Sequence, residues 1–114
     1  MEGSGRFTRR NVDLADRGIT FVEEATTLGI DDDCVHCTAN TSTGDYTVVL
    51  PPVGLYKGRM LFIGATIANN KAVTLTDNND DAGYSDQTLD TDDDHLLLYS
   101  DGITWREVID GIAG

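Results

Sequence analysis

Between Asp94 and Ile109 the chain reads DHLLLYSDGITWREVI, two runs of strand-forming residues around an Asp-Gly pair. Asp-Gly in that setting is a strong hairpin signal, because both residues of a two-residue type I′ turn need positive φ. Such a turn sets the register: Ser100 opposes Ile103, Tyr99 opposes Thr104, and Leu98 opposes Trp105. Strand side chains alternate, so Leu98, Ile103, Trp105 and Ile109 are expected on one face. Leu97, Tyr99, Arg106 and Val108 fall on the other. Leu98 and the single tryptophan, Trp105, read as core anchors. Leu97, Tyr99 and Val108 make the second face apolar enough to be half-covered by another subunit.

The preceding chain reads as further short strands. Gly18 to Thr27 is rich in threonine and β-branched residues and favours a strand, with a short helix through Val22 to Ala25 as the alternative. Cys34 to Ala39 is a short strand, and Asn40 to Gly44 carries turn chemistry. Asp45 to Leu50 alternates cleanly, with Tyr46, Val48 and Leu50 on one side, and Pro51-Pro52 ends it. Val53 to Gly58 reads as a loop. Arg59 to Ile67 is an apolar run typical of a strand covered on both faces, and Gly64 within it suggests a bulge or a close backbone approach. Asn69-Asn70 is a turn, and Ala72 to Thr76 is the return strand. A long polar stretch, Asp77 to Asp94, holds one short strand around Leu89. No internal repeat is visible. The expected fold is all-β, a small antiparallel sandwich or barrel of about six to eight short strands. Residues 1–17 form an extended N-terminal arm, and residues 18–114 form a single β domain.

Charge excludes several functions. The 114 residues carry 20 acids against 8 bases, a net charge of −12, which repels nucleic acid and anionic lipid. No transmembrane span or signal peptide is expected, since no long apolar run exists and MEGSGRFTRR lacks an apolar h-region. Synthesis in the cytoplasm is the simplest reading. The charge is also uneven. Met1 to Arg17 holds four bases and three acids, net +1, and the remainder holds 4 bases and 17 acids, net −13. Asymmetry of this kind marks interaction tails. Arg6, Phe7, Arg9 and Arg10 are the candidate contacts, an aromatic anchor among arginines that orders on a partner. Terminal fraying accounts for the same composition.

Catalytic and metal patterns are weak. Cys34-Val35-His36-Cys37 offers half of a zinc site at most. A redox CxxC opens a helix, whereas this one lies in an acidic, strand-like setting that raises a thiol pKa. Both cysteines read as structural. Asp77, Asn79 and Asp81 supply oxygens at alternate positions, as in a calcium loop. The glycine, however, comes one residue late, and the twelfth position is Thr88 instead of glutamate. The stretch therefore reads as a solvated acidic loop, within which Gly83-Tyr84-Ser85 offers an exposed aromatic to a sugar. There is no nucleophile–base arrangement and no phosphate-binding loop, so no enzyme, cofactor or metal is expected.

Four segments together resemble a known module. They are Tyr46-Thr47-Val48-Val49-Leu50-Pro51-Pro52, Gly58-Arg59-Met60-Leu61-Phe62-Ile63, Val73-Thr74-Leu75-Thr76, and Ser100-Asp101-Gly102-Ile103-Thr104-Trp105. The set resembles a β-module of tailed-bacteriophage virion proteins, found in tail fibres, spikes and head decoration (cement) proteins. It spans Asp45 to Ile109; the loop between Thr76 and Leu96 is more acidic here than in the pattern. A chain with room for one body and one arm fits a decoration protein best. The resemblance then implies a homotrimer on the outer capsid surface of a virion, bound to the major capsid protein and stabilising the shell. A short tail-fibre, spike or receptor-binding module is the alternative. A small metal or thiol protein using Cys34 and Cys37 is a third reading.

Overall fold

The computed structural model describes residues 18–113. Nine strands form two sheets: β1 (Ile19–Val22), β2 (Thr26–Thr27), β3 (Cys34–Ala39), β4 (Tyr46–Val49), β5 (Met60–Ile67), β6 (Val73–Thr76), β7 (Gln87–Leu89), β8 (His95–Ser100) and β9 (Trp105–Gly111). The five-stranded sheet has the order β1-β3-β5-β8-β9, and the four-stranded sheet β2-β4-β6-β7. The arm expected over residues 1–17, with Arg6, Phe7, Arg9 and Arg10, lies outside the described residues.

The all-β expectation holds, but the sheets are mixed and not antiparallel. From β1 to β6 successive strands alternate between the sheets, so neighbours within a sheet run parallel: β1 with β3, β3 with β5, β2 with β4, and β4 with β6. The chain winds as stacked two-strand coils. The antiparallel pairs are β5 with β8, β6 with β7, and β8 with β9. The Asn40–Gly44 segment shows why. A hairpin turn would return the chain to the same sheet, and this one turns a corner into the other. Asn40 Oδ1 accepts the N–H groups of Ser42 and Thr43 at 2.9 and 3.1 Å, and Gly44, at φ +70°, donates to the Asn40 carbonyl at 2.9 Å. Tyr46 then fastens β4 beneath the first sheet. Its hydroxyl lies 2.7 Å from the Thr38 carbonyl and 3.0 Å from that of Val22.

One core lies between the sheets. Val48, Val73, Leu75 and Leu89 come from the smaller sheet, and Val35, Leu61, Ile63, Leu96, Leu98 and Trp105 from the larger. The alternation expected for Tyr46, Val48 and Leu50 holds, with Val48 and Leu50 fully buried. Strand β5 is covered on one face only. Leu61 and Ile63 face the core, while Met60 and Phe62 are exposed. Gly64 forms no bulge; its register with His36 and His95 is unbroken, and the Phe62 ring lies against it, 3.4 Å from where a Cβ would stand.

The ribbon exists with a different register. Ser100 pairs with Trp105, Tyr99 with Arg106, and Leu98 with Glu107, so the loop is Asp101–Thr104 and not two residues. The Asp101 side chain accounts for this. Its Oδ1 accepts the N–H groups of Ile103 and Thr104 at 2.9 and 2.7 Å, a local turn that competes with the tighter one. Only Gly102 takes positive φ, +93°, and a side chain there would strike the stem of Lys57. Ser100 is committed elsewhere, its hydroxyl donating to the buried Val53 carbonyl. Two face assignments fail as a result. Ile103 projects into solvent at the loop tip. A bulge at Leu97/Leu98 makes Val108 the extra residue and turns Ile109 outward, opposite Leu97. Leu98 and Trp105 are core residues as expected.

The core anchor has a partner the sequence did not reveal. Tyr56, in the segment read as a plain loop, is completely buried. Its ring lies 5.4 Å from the Trp105 ring, and the Arg59 guanidinium stacks 4.5 Å from its centroid. Its hydroxyl reaches the Asp32 carbonyl at 2.5 Å. Replacing Trp105 by Ala is expected to cost about 3–5 kcal/mol, because the aromatic pair would face a void. Thermal melts of the purified variant check this, and a shift of only a degree or two would contradict the burial.

Candidate functional site

Cysteine, aspartate and aromatic candidates separate once placed on the strands. In β3 the side chains alternate, so Cys34 and His36 face outward while Val35 and Cys37 face the core. The two thiols are free and lie on opposite sides of the sheet, an arrangement that cannot close a shared metal site. Burial pushes the Cys37 thiol up to about 12. His36 binds the Thr66 hydroxyl at 2.8 Å and meets the Phe21 ring edge-on. Among the described residues no group of three His, Cys, Asp or Glu side chains is placed to hold a metal ion.

The acidic loop is solvated only in part: Asp80, Asp81, Asp86, Asp90, Asp92 and Asp93 are exposed, as expected, but Asp77 and Asp94 are buried. Asn78–Asp80 forms one 3-10 turn. Asp77 is buried, and its Oδ2 accepts the N–H groups of Ala82 and Tyr84 at 3.2 and 2.9 Å. Asp81 accepts from Val53 N–H, and Asp92 from Ile67 N–H. Asp94, also buried, accepts from Asp90, Thr91 and Ala113. Tyr84, expected to be free for a sugar, instead packs against the core and donates its hydroxyl to Glu107 at 2.7 Å. Burial first, then the Glu107 carboxylate, pushes its phenol well above the ordinary tyrosine range. These acids hold loops, so the loop is a structural element.

What remains is a surface: the outward face of the five-stranded sheet. Register places Ile19, Cys34, Phe62, Leu97 and Ile109 in one row across all five strands. The next row is Phe21, His36, Gly64, His95 and Gly111. A third holds Met60, Tyr99 and Arg106. Phe62 stacks on His95, with centroids 6.1 Å apart. Of the expected subunit contacts, Leu97 and Tyr99 lie on this side, Leu97 half-buried and Tyr99 exposed, while Val108, the extra residue of the bulge, is exposed but has no register partner that sets its face. The strongest members, Phe21 at 63% exposure, Met60 and Phe62, were not found from sequence. The uniformly apolar run of β5 hides which of its alternate residues point outward.

No protein-family model and no curated protein matches this chain. Among the described residues no helix is long and apolar enough to cross a membrane. The surfaces themselves therefore carry the functional argument.

Two measurements check this geometry. A thiol reagent is expected to label Cys34 in the folded protein and Cys37 only on unfolding. Cys34→Ser should be nearly silent, while Cys37→Ser places a hydroxyl in the core at a cost of about 1–3 kcal/mol. Equal labelling of both thiols would contradict the strand assignment. The second concerns Asp101. Hydrogen bonds from Thr104 and Ile103 N–H, then Arg106, hold its carboxyl at about 2, below the ordinary 3.8. A folded value below the unfolded one means the turn keeps this contribution above the ordinary range and loses it as pH falls through about 2. The Ile103 and Thr104 amide shifts should titrate with that midpoint; a midpoint near the ordinary value would contradict the turn.

Proposed function

We propose that this chain is a structural protein of a bacteriophage virion, a head decoration or cement protein bound to the outside of the capsid. The observation that carries the reading is the division of charge, net +1 over residues 1–17 against −13 over the rest. An acidic body stays soluble and is repelled by packaged DNA, while a basic segment with one aromatic suits attachment to an acidic shell. A second support is that the segments behind the virion resemblance are neighbours in space. Strand β4 pairs with β6, and β5 pairs with β8, which pairs with β9.

The mechanism is mechanical. Arg6, Arg9 and Arg10 pair with carboxylates of the major capsid protein, and Phe7 fills an apolar pocket between them. A body bridging neighbouring capsid subunits, together with other copies of itself, stabilises the shell by mass action, because it binds the assembled state alone. No catalytic step is involved. The stacked parallel coils favour one rival, a tail-fibre or spike module, since a coil stack can be lengthened at its open edge strands β1 and β2. Copy number separates the two: many copies over the shell surface for decoration, few at one vertex for a tail component.

Deleting residues 1–10 is expected to abolish or strongly weaken binding to particles while leaving the melting temperature of the body nearly unchanged. Neutralising Arg6, Arg9 and Arg10 together should weaken binding, with less effect at high salt, where charge contacts are already screened. Wild-type occupancy by the truncated protein would make the segment a bystander and overturn this attachment.

A further inference from the structure

The corner between β1 and β2 meets the corner between β3 and β4 across a cleft of about 530 Å³. Phe21 lines it with an exposed ring, and Glu23 and Glu24, also exposed, stand beside that ring. Thr26, Ser42 and Thr43 add hydroxyls. The Thr26 hydroxyl donates to the Glu24 carbonyl at 2.8 Å, which pins the corner that carries both glutamates. None of the described residues lining the cleft is basic. Loop aspartates such as Asp81 and Asp92 are taken up by backbone N–H groups, whereas these two glutamates are presented to solvent.

An exposed aromatic ring beside two carboxylates suits a guanidinium, which pairs with a carboxylate through two parallel hydrogen bonds and stacks on an aromatic face. Residues 18–114 have four bases, all placed elsewhere. Arg59 lies over Tyr56, Arg106 is paired with Asp101, the Lys57 stem runs beside Gly102, and Lys71 sits in the corner between β5 and β6. The other four bases belong to residues 1–17, and residues 1–10 hold three arginines against one acid. That segment joins the body at Gly18, a turn residue at φ +80°. The next residue opens β1, an edge strand of its sheet, and the cleft lies at the far end of the same strand. Strand β1 has four residues, about 13 Å. Arg10 precedes Gly18 by eight residues, which span up to about 26 Å. A segment that doubles back at Gly18 therefore reaches Glu23 and Glu24 with chain to spare.

We infer that the cleft holds the arginine segment of its own chain, with Arg9 and Arg10 engaging Glu23 and Glu24 beside the Phe21 ring. The inference rests on the proposed function in one respect, that the same arginines attach to the shell. The contact then masks them until carboxylates of the shell compete for them. Exposed ion pairs are individually weak. Tethering compensates, because a short linker makes the encounter intramolecular at an effective concentration in the millimolar range. Weakness also suits the role, since a tight contact would block attachment.

The test is limited trypsin digestion of the full chain, read by intact mass, at about 50 and about 500 mM salt. Cleavage after Arg6, Arg9 and Arg10 reports how much of the segment is undocked. Glu23→Gln and Glu24→Gln together are expected to speed this cleavage about three- to tenfold at low salt, the loss of two exposed ion pairs on a tethered segment. The higher salt should bring wild type to the rate of the variant. Asp86→Asn removes an exposed acid elsewhere and should change nothing. A circular-dichroism melt confirms that the variants are folded. Equal cleavage of wild type and the double variant at low salt overturns the inference. So does an equal effect of Asp86→Asn, which would mean that net charge alone sets the rate. Protection that rises with protein concentration overturns it as well, by placing the segment on another copy. Particles play no part in this measurement, and deletion of residues 1–10 reads attachment separately, so either reading can fail alone. Where both hold, the double substitution also tightens binding to particles by a similar factor; release without that gain overturns the masking.

Discussion

A chain that alternates between two sheets must turn a corner after almost every strand, and each corner removes backbone N–H groups from the ladders. Buried N–H groups left unpaired are costly. In this protein aspartate side chains take them up. Asp32 receives Gly29, Asp45 receives Ala72, Asp81 receives Val53, and Asp92 receives Ile67. Asp94, at the crossing from β7 to β8, receives three, and in the loops that return to the same sheet Asp77 and Asp101 each receive two. Aspartate suits the task because its carboxylate is short, accepts several bonds at once, and binds N–H more strongly than a neutral acceptor. The contacts matter most where the corner is part-buried, at Val53, Ile67, Asp90 and Thr91, because an N–H group there that loses its carboxylate is left short of solvent.

This gives the acidity of the chain a structural cause, and it also distributes the charge. Carboxylates gather at the loops and rims, where the corners are. The interior of the five-stranded sheet's outer face, which has no corners, is left without acids. The same constraint that fastens the coils therefore produces an acidic periphery around an apolar plane. That division underlies the proposed function, an acidic body that packaged DNA repels.

Much of the strand content was legible in the sequence because local signals were unambiguous. Cys34–Ala39 is a strand with the expected bounds, Pro51-Pro52 ends β4, and a short strand does include Leu89. Asn69 and Asn70 take the positive φ that their turn requires. Pairing was not legible. A turn signal such as Asn40–Gly44 marks where the chain bends but not whether it returns to the same sheet, and that choice made the sheets mixed. The coils were also hidden, because stacked positions recur at unequal steps, from Ile19 to Cys34 to Phe62. In the ribbon one carboxylate, Asp101, outweighed the Asp-Gly preference for a tight turn and shifted the register. A bulge then turned Ile109 outward. The outer face was only partly visible, through Leu97, Tyr99 and Arg106, since most of its other members come from β1, β3 and β5, which pair with distant segments, and Ile109 lies beyond the bulge.

Comparing Asp94→Ala with Asp86→Ala in equilibrium denaturation tests the role of the carboxylates most directly. Asp94 is buried and holds Asp90, Thr91 and Ala113, whereas Asp86 is exposed. Both substitutions remove the same negative charge. Asp94→Ala is expected to lose about 3 kcal/mol or more and Asp86→Ala to stay within about 0.5 kcal/mol of wild type. Equal, small effects at the two positions would mean that the acids serve solubility alone and that something else holds the corners.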